Sequence, residues 1–309
     1  MDTRLLTTFE TVAERLSFTR AAVDLGYVQS TVTAQIKTLE TELGVRLFER
    51  LGRRILLTDA GRELHAAAPE LLRHVERTRD AVVTAGDPHR AQRGTLGLAA
   101  PESLCSTHLP AVLKAFQDRY PQVTVVFRPS GRQGVLDDLA SGRIDVGFLL
   151  ERSVEVPGIE AVEMRREPFV LVAAPSHALV GSGRVRAADL ASHTVLLLDS
   201  GCAQRHLMDE ELRPERTRPR TIEFTTMEPV KRSAAAGLGV ALLPAATVEG
   251  ELARGELVAL PFTSKSAKSA TPSKPSLRVF SVRNRARRTG PLVSLLLDLA
   301  AEHWGTPPH

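Results

Sequence analysis

At 309 residues, 43% of them apolar and 25% charged, and with a formal net charge of +4, the chain has the makeup of a globular protein with two or three packed domains. No apolar run nears the ~18 residues that a bilayer span needs, and two cysteines exclude a disulfide framework. Acids and bases are nearly balanced over residues 1–60, so nucleic-acid binding cannot follow from bulk charge and must rest on local placement.

The N-terminus, MDTRLLTTFETVAERL, carries acids among its apolar residues and no small-residue cleavage site, so it is not read as a signal peptide. A cytoplasmic location is expected. Leu5 to Leu16 reads as a helix with Leu5, Phe9, Val12, Ala13 and Leu16 on one face. Thr19 is the expected N-cap of a second helix, which ends at a tight turn on Gly26. A third helix follows to Gly44, with Val32, Ile36, Leu39 and Leu43 as its apolar stripe. Its other face is short and polar: Gln29, Ser30, Thr33, Gln35 and Lys37. Two helices, a glycine turn and one hydrogen-bonding face describe a helix-turn-helix, whose second helix enters a DNA major groove. Val45–Phe48 and Ile55–Leu57 are short strand candidates around Gly52, forming a wing with Arg50, Arg53 and Arg54 at its tip. Basic residues there suit phosphate contacts or a narrow minor groove.

Thr58 can cap a long helix to about Ala85. Leu64, Ala68, Leu71, Val75, Thr78 and Val82 alternate at three- and four-residue spacing, a narrow stripe that suggests a partner helix. Pro69 predicts a kink, or a break with a new first turn, because it removes the hydrogen bond to His65 at about 3 kcal/mol. GDPHRAQRG is a linker. From Thr95 strands alternate with helices: TLGLAA, a helix over Leu104–Tyr120, VTVVFRPS, VLDDLASGR, IDVGFLL, PFVLVAAP, TVLLLD, a helix over Gln204–Leu212, TIEFTT, VKRSAAAGLG, VALLP, LVALPF, SLRVFSVR and the terminal helix PLVSLLLDLAAEHW. This order predicts a mostly parallel α/β sheet, and SKSAKSATPSKPS is a low-complexity loop.

The segment AAVDLGYVQSTVTAQIKTLETELGVRLFER resembles the N-terminal signature of LysR-type transcriptional regulators, through Ala21, Ala22, Leu25, Gln29, Ser30, Val32, Thr33, Gln35, Ile36, Leu39, Glu40, Leu43, Gly44, Leu47, Phe48 and Arg50. The resemblance implies an all-α winged helix-turn-helix at 1–58, a linker and dimerisation helix at 59–88, and a two-lobed α/β effector domain at 93–309, built like a periplasmic binding protein. Lobe I would cover about 93–160 and 265–309, and lobe II about 161–264. It further implies binding of double-stranded promoter DNA, a homodimer or homotetramer, contact with RNA polymerase, and a small-molecule effector; no cofactor is expected, and the scattered histidines show no metal-ligand spacing. DNA-reading positions carried over are Thr19, Gln29, Ser30, Thr31, Thr33 and Ala34, with Lys37 near phosphate and the arginines at 50, 53 and 54 on the wing. Gln pairs with adenine, and a Thr methyl meets a thymine methyl. Two departures stand out. The family often has serine where this chain has Val28, and arginine where it has Ala34.

Dimerisation would use Leu64, Ala68, Leu71, Val75 and Val82. Effector positions would be Ser103, Arg132, Cys202 and Thr226, near helix starts whose free N–H groups favour an anion, with Gly147 and Phe148 lining the floor. Arg132 facing inward favours a carboxylate or phosphate, while Glu102 offsets that charge, so the ligand's sign stays open. Cys105 and Cys202 fall near the starts of helices, where a thiol pKa drops. The ordinary reading of both is space-filling. GLGVALLP lacks the third glycine and the strand-first order of a nucleotide fingerprint. Competing readings are a constitutive DNA-binding regulator without ligand and a solute-binding protein, which leaves residues 1–60 unexplained. An enzyme is not expected, since no catalytic constellation is identifiable.

Overall fold

A computed structural model describes residues 2–51, 54–86, 94–213, 218–263, 275–287 and 289–305, with backbone alone at 50, 51, 54, 73, 76, 77, 80, 81 and 83–86. It divides into two compact units, residues 1–90 with 141–143, and residues 91–140 with 144–309.

The first unit opens with α1 (Thr3–Arg15), α2 (Phe18–Leu25) and α3 (Gln29–Leu43). Asp2 caps α1 by accepting the Arg4 N–H at 2.9 Å. The cap of α2 is Ser17, which accepts the Arg20 N–H at 3.3 Å, so the expected cap at Thr19 is corrected by two residues and Thr19 lies exposed in the first turn. Gly26 and Gly44 close α2 and α3 at φ +67° and +71°, where a β-carbon is disfavoured. Phe9, Val12, Ala21, Val32 and Leu39 are buried together. Leu16 and Leu43, expected on the apolar faces, are exposed. Phe48 is the keystone, with ring centroids 5.4 Å from Phe9 and 5.7 Å from Phe18.

The hairpin strands are β1 (Phe48–Leu51) and β2 (Arg54–Leu57), paired antiparallel from Phe48↔Leu57 to Leu51↔Arg54. The first strand thus begins where it was expected to end, because Leu47 is committed to the core. Thr58 caps α4 (Asp59–Gly86) through the Gly61 N–H at 3.0 Å and donates its own hydroxyl to the Arg46 carbonyl at 2.7 Å. A Cβ on Gly61 would stand 2.1 Å from the Leu47 carbonyl oxygen, so this first turn needs glycine. Helix α4 continues through Pro69 without a break, correcting the alternative of a new start there.

In the second unit, β3 (Gly94–Ala100) pairs parallel with β4 (Val123–Pro129) and β5 (Val146–Glu151). Between them run α5 (Glu102–Ser106), α6 (Leu109–Arg119) and α7 (Arg132–Ser141). The single helix expected over Leu104–Tyr120 is two, divided at Thr107 and His108, with Pro110 in the first turn of α6. β6 (Ile159–Ala173) is long. Its first part pairs antiparallel with β11 (Ser276–Asn284), and its last with β9 (Ala241–Pro244) and β10 (Val258–Leu260). β11 also pairs antiparallel with β5. The sheet is therefore mixed, correcting the mostly parallel expectation. β7 (Thr194–Leu198) and β8 (Arg220–Phe224) form a parallel pair flanked by α8 (Ala203–Leu212) and α9 (Met227–Ala235). The short α10 (Glu249–Ala253) and the terminal α11 (Pro291–Trp304) complete the unit. Gly237 at φ +83° ends α9, and a Cβ on Gly239 would meet the Thr194 carbonyl oxygen at 2.3 Å, so both glycines serve a turn.

Candidate functional site

On α3, Gln29, Ser30, Thr33, Ala34 and Lys37 are exposed and Thr31 is half-buried. Val28 stands at the N-cap and makes no side-chain cap hydrogen bond, while its carbonyl accepts the Thr31 N–H at 3.0 Å, so the opening N–H groups of Gln29 and Ser30 gain no side-chain cap. A helix end of that kind accepts a phosphate. Thr33 donates its hydroxyl hydrogen to the Gln29 carbonyl at 2.9 Å, which leaves a methyl group and an acceptor to offer outward. Gln35, expected on the polar face, is instead half-buried and accepts the Thr8 hydroxyl at 2.6 Å, tying α3 to α1. Arg53 and the side chains of Arg50 and Arg54 lie outside the described residues. One basic residue was missed. Exposed Arg46 shares with Thr33, Lys37, Glu40 and Glu49 a groove of about 900 Å³ between α3 and the hairpin. It sits in the turn before the wing, where periodicity carries no signal.

The stripe on α4 divides. Ala68 is fully buried and, with Leu64 and Leu72, packs into the core of α1–α3. His65 Nδ1 lies 3.1 Å from Glu10 Oε1, and so also binds α4 to α1. Ala68 is therefore not available to a partner, and Leu64 is largely committed to the same core. Leu71, Val75 and Val82 remain 41%, 46% and 68% exposed. Heptad spacing cannot separate these two uses, because both faces repeat with the helix.

In the second unit a cleft of about 720 Å³ lies between a lobe carrying α5, β5 and α7 and a lobe carrying β7, α8 and α9. Ser103, Arg132, Cys202 and Thr226 all line it. Arg132 opens α7, Cys202 is the N-cap of α8, and Thr226 is the N-cap of α9. Gly147 and Phe148 do not form its floor. A Cβ on Gly147 would lie 2.3 Å from Val135 Cγ1, so that residue is sealed beneath α7. Phe148 is fully buried with its ring 5.2 Å from Trp304. Leu149, Leu150 and Glu151 line the cleft instead, at the carboxyl end of β5, where open α/β sheets hold their ligands.

Arg132 faces the cleft and pairs with Glu151, Nε to Oε1, at 3.6 Å. Burial pushes the Glu151 carboxyl above its usual range, opposed by Arg132 and His206. Both carboxylate oxygens of Glu102 accept the Met227 N–H, at 3.3 and 3.2 Å, a bond from one lobe to the other. Arg152 and Glu210 pair across the same divide at 2.7 Å. Burial pushes the Cys105 thiol up to about 12, and its Sγ donates to the Pro101 carbonyl at 3.0 Å. Burial also raises Cys202, against the lowering by the Gln204 and Arg205 N–H groups.

A family model for the LysR substrate binding domain matches residues 89–305, and one for bacterial regulatory helix-turn-helix proteins of the lysR family matches residues 3–62. The chain belongs to the LysR family of transcriptional regulators. Like its family, it is a DNA-binding regulator with an effector-binding domain. It is 34% identical over 258 residues to the transcriptional regulator YwqM of Bacillus subtilis, covering 83% of this chain and 87% of the relative. It is 33% identical over 261 residues to the regulator CbbR of Rhodospirillum rubrum, covering 83% and 84%. Among solved structures, full-length CbnR complexed with its target DNA matches at TM-score 0.73 and 22% identity, over 98% of this chain and 100% of that one. Full-length OxyR of Pseudomonas aeruginosa matches at TM-score 0.67 and 23% identity, over 97% and 95%. At these identities the structures speak for the fold of this LysR-family chain. Among the described residues no helix is long and apolar enough to cross a membrane, and no group of three or more metal-binding side chains occurs.

Proposed function

We propose that this regulator works in the cytoplasm as a homodimer, or a pair of dimers, that bends one promoter region and responds to a small molecule in the cleft between its lobes. The exposed face of α3 would read bases through Gln29, Ser30, Thr31 and Thr33, with Ala34 against a thymine methyl and Lys37 and Arg46 on phosphates. Arg50, Arg53 and Arg54 would enter a minor groove or its phosphates. The outer face of α4, at Leu71, Val75 and Val82, would hold the partner helix. The effector would prefer one lobe geometry, shift the population toward it, and so alter the spacing of the DNA-binding pairs and their presentation to RNA polymerase.

One observation carries the effector part of this reading. Ser103, Arg132, Cys202 and Thr226 come from four separate segments and converge on a single cleft. Its volume, about 720 Å³, is that of an ordinary small-molecule site. The test is a gel shift of the full-length protein on the intergenic DNA beside its own gene, at increasing salt. Sequence-specific, salt-sensitive binding is expected. Gln29→Ala should weaken the specific site by about 1–3 kcal/mol and relax its sequence preference. Lys37→Ala should weaken all DNA alike and flatten the salt slope by about one. Equal binding to unrelated DNA by the wild type, unaffected by Gln29→Ala, would overturn the assignment of α3.

A further inference from the structure

Two of the groups that would receive an anion in this cleft are engaged by the chain itself. One is the N–H that opens α9, where Thr226 makes no side-chain cap bond and the helix end is partly positive. That N–H, on Met227, is held by both oxygens of Glu102 from the opposite lobe. Among the described residues the wall carries one guanidinium, Arg132, whose Nε pairs with Glu151 at 3.6 Å. Asp199 adds a further carboxylate to the lining, exposed at the carboxyl end of β7. Three carboxylates therefore face one guanidinium that is itself paired.

An acid entering here would have to displace Glu102 from α9 or Glu151 from Arg132, and each displaced carboxylate would stay nearby as a like charge. A cation meets the reverse situation. It adds an opposite charge beside Asp199, which is exposed, and beside the half-buried Glu151, which it shares with Arg132. Pro101, Leu149, Leu150, Leu198 and Met227 add apolar wall that suits a hydrocarbon body behind the charged group, beside the hydroxyls of Ser130, Ser200 and Thr225.

We propose that the effector of this cleft is a small organic amine, protonated and seated against Glu151 and Asp199, and not an acid. This rests on the reading of the cleft as the effector site.

The experiment uses the full-length protein without DNA, because amines also bind DNA. Thermal shift and calorimetry compare putrescine, agmatine and phenethylamine with succinate, benzoate and phosphate, and with neutral benzyl alcohol. At least one amine is expected to raise the melting midpoint saturably. Asp199→Asn, at an exposed position, and Glu151→Gln should each weaken it by about tenfold or more. Glu151→Gln also frees Arg132, so benzoate or succinate should begin to bind that variant. No stabilisation by any amine overturns the proposal, as does amine binding that survives both substitutions. If acids or the neutral alcohol stabilise the wild type instead, the cleft keeps its role and the amine assignment alone falls. If no compound of any charge does, the effector reading falls with it.

Discussion

Glu40 Oε1 accepts the backbone N–H of Leu47 at 2.8 Å and that of Phe48 at 3.3 Å. The last turns of α3 thereby hold the chain at the start of the hairpin, so the two elements expected at DNA are fixed to each other by one side chain.

Glu40→Ala leaves the Leu47 N–H without its acceptor. The expected loss is about 1–3 kcal/mol of stability, read from thermal or urea denaturation. DNA affinity should fall with it, and Glu40→Gln should restore most of both by supplying an amide oxygen. An alanine variant with an unchanged midpoint and unchanged affinity would refute this coupling.

The divided stripe on α4 predicts opposite outcomes for neighbouring positions. Leu71→Asp and Val75→Asp should leave helix content intact and shift the protein toward monomers in sedimentation. Ala68→Asp buries a charge in the first unit's core and should unfold that unit. A Leu71→Asp, Val75→Asp double variant that sediments like the wild type would show that dimerisation lies elsewhere.

Pro69 lies inside an unbroken helix, so the His65 carbonyl lacks its helical N–H. Pro69→Ala should raise the thermal midpoint, with a gain of up to about 3 kcal/mol. A lower midpoint would mean that the ring contributes packing that outweighs the missing bond.

Both thiols are raised, so each stays protonated through neutral pH and gains thiolate only as pH climbs past the ordinary thiol range. Iodoacetamide should label the native protein slowly at pH 7, faster with rising pH, and promptly in urea. Native labelling at pH 7 as fast as in urea would contradict the burial described here and reopen a redox role.

Much of the DNA-binding unit was legible because its signal is continuous. Apolar spacing, two helix-ending glycines and the polar face of α3 all fall within residues 18–50. Errors arose where neighbouring residues offer the same chemistry. Ser17 and Thr19 both carry a capping hydroxyl, and backbone geometry chose the first. Gln35 looks like a base-reading residue, but its partner Thr8 is 27 positions away. The floor of the cleft was placed two residues early, since the hydrophobic run IDVGFLL does not reveal where a strand leaves the core. The first half of β6, IEAVEMRRE, was missed because its charges mask a strand that is mostly half-buried, with only Met164 and Glu167 buried. Whether Arg132 would be free or paired depends on Glu151, at the end of another strand.

β6 passes from one lobe to the other without leaving its ladders. Pro168 still pairs with Ser276 of β11, and the next residue, Phe169, already pairs with Pro244 of β9. There is no slack peptide at this crossing. Relative movement of the lobes here is torsion of a single hydrogen-bonded rod, shared over many dihedrals, each turning a few degrees. Such a joint is stiff and springs back. It suits a sensor that reports a small ligand-driven twist faithfully, rather than one that swings wide open and must find its closed form again.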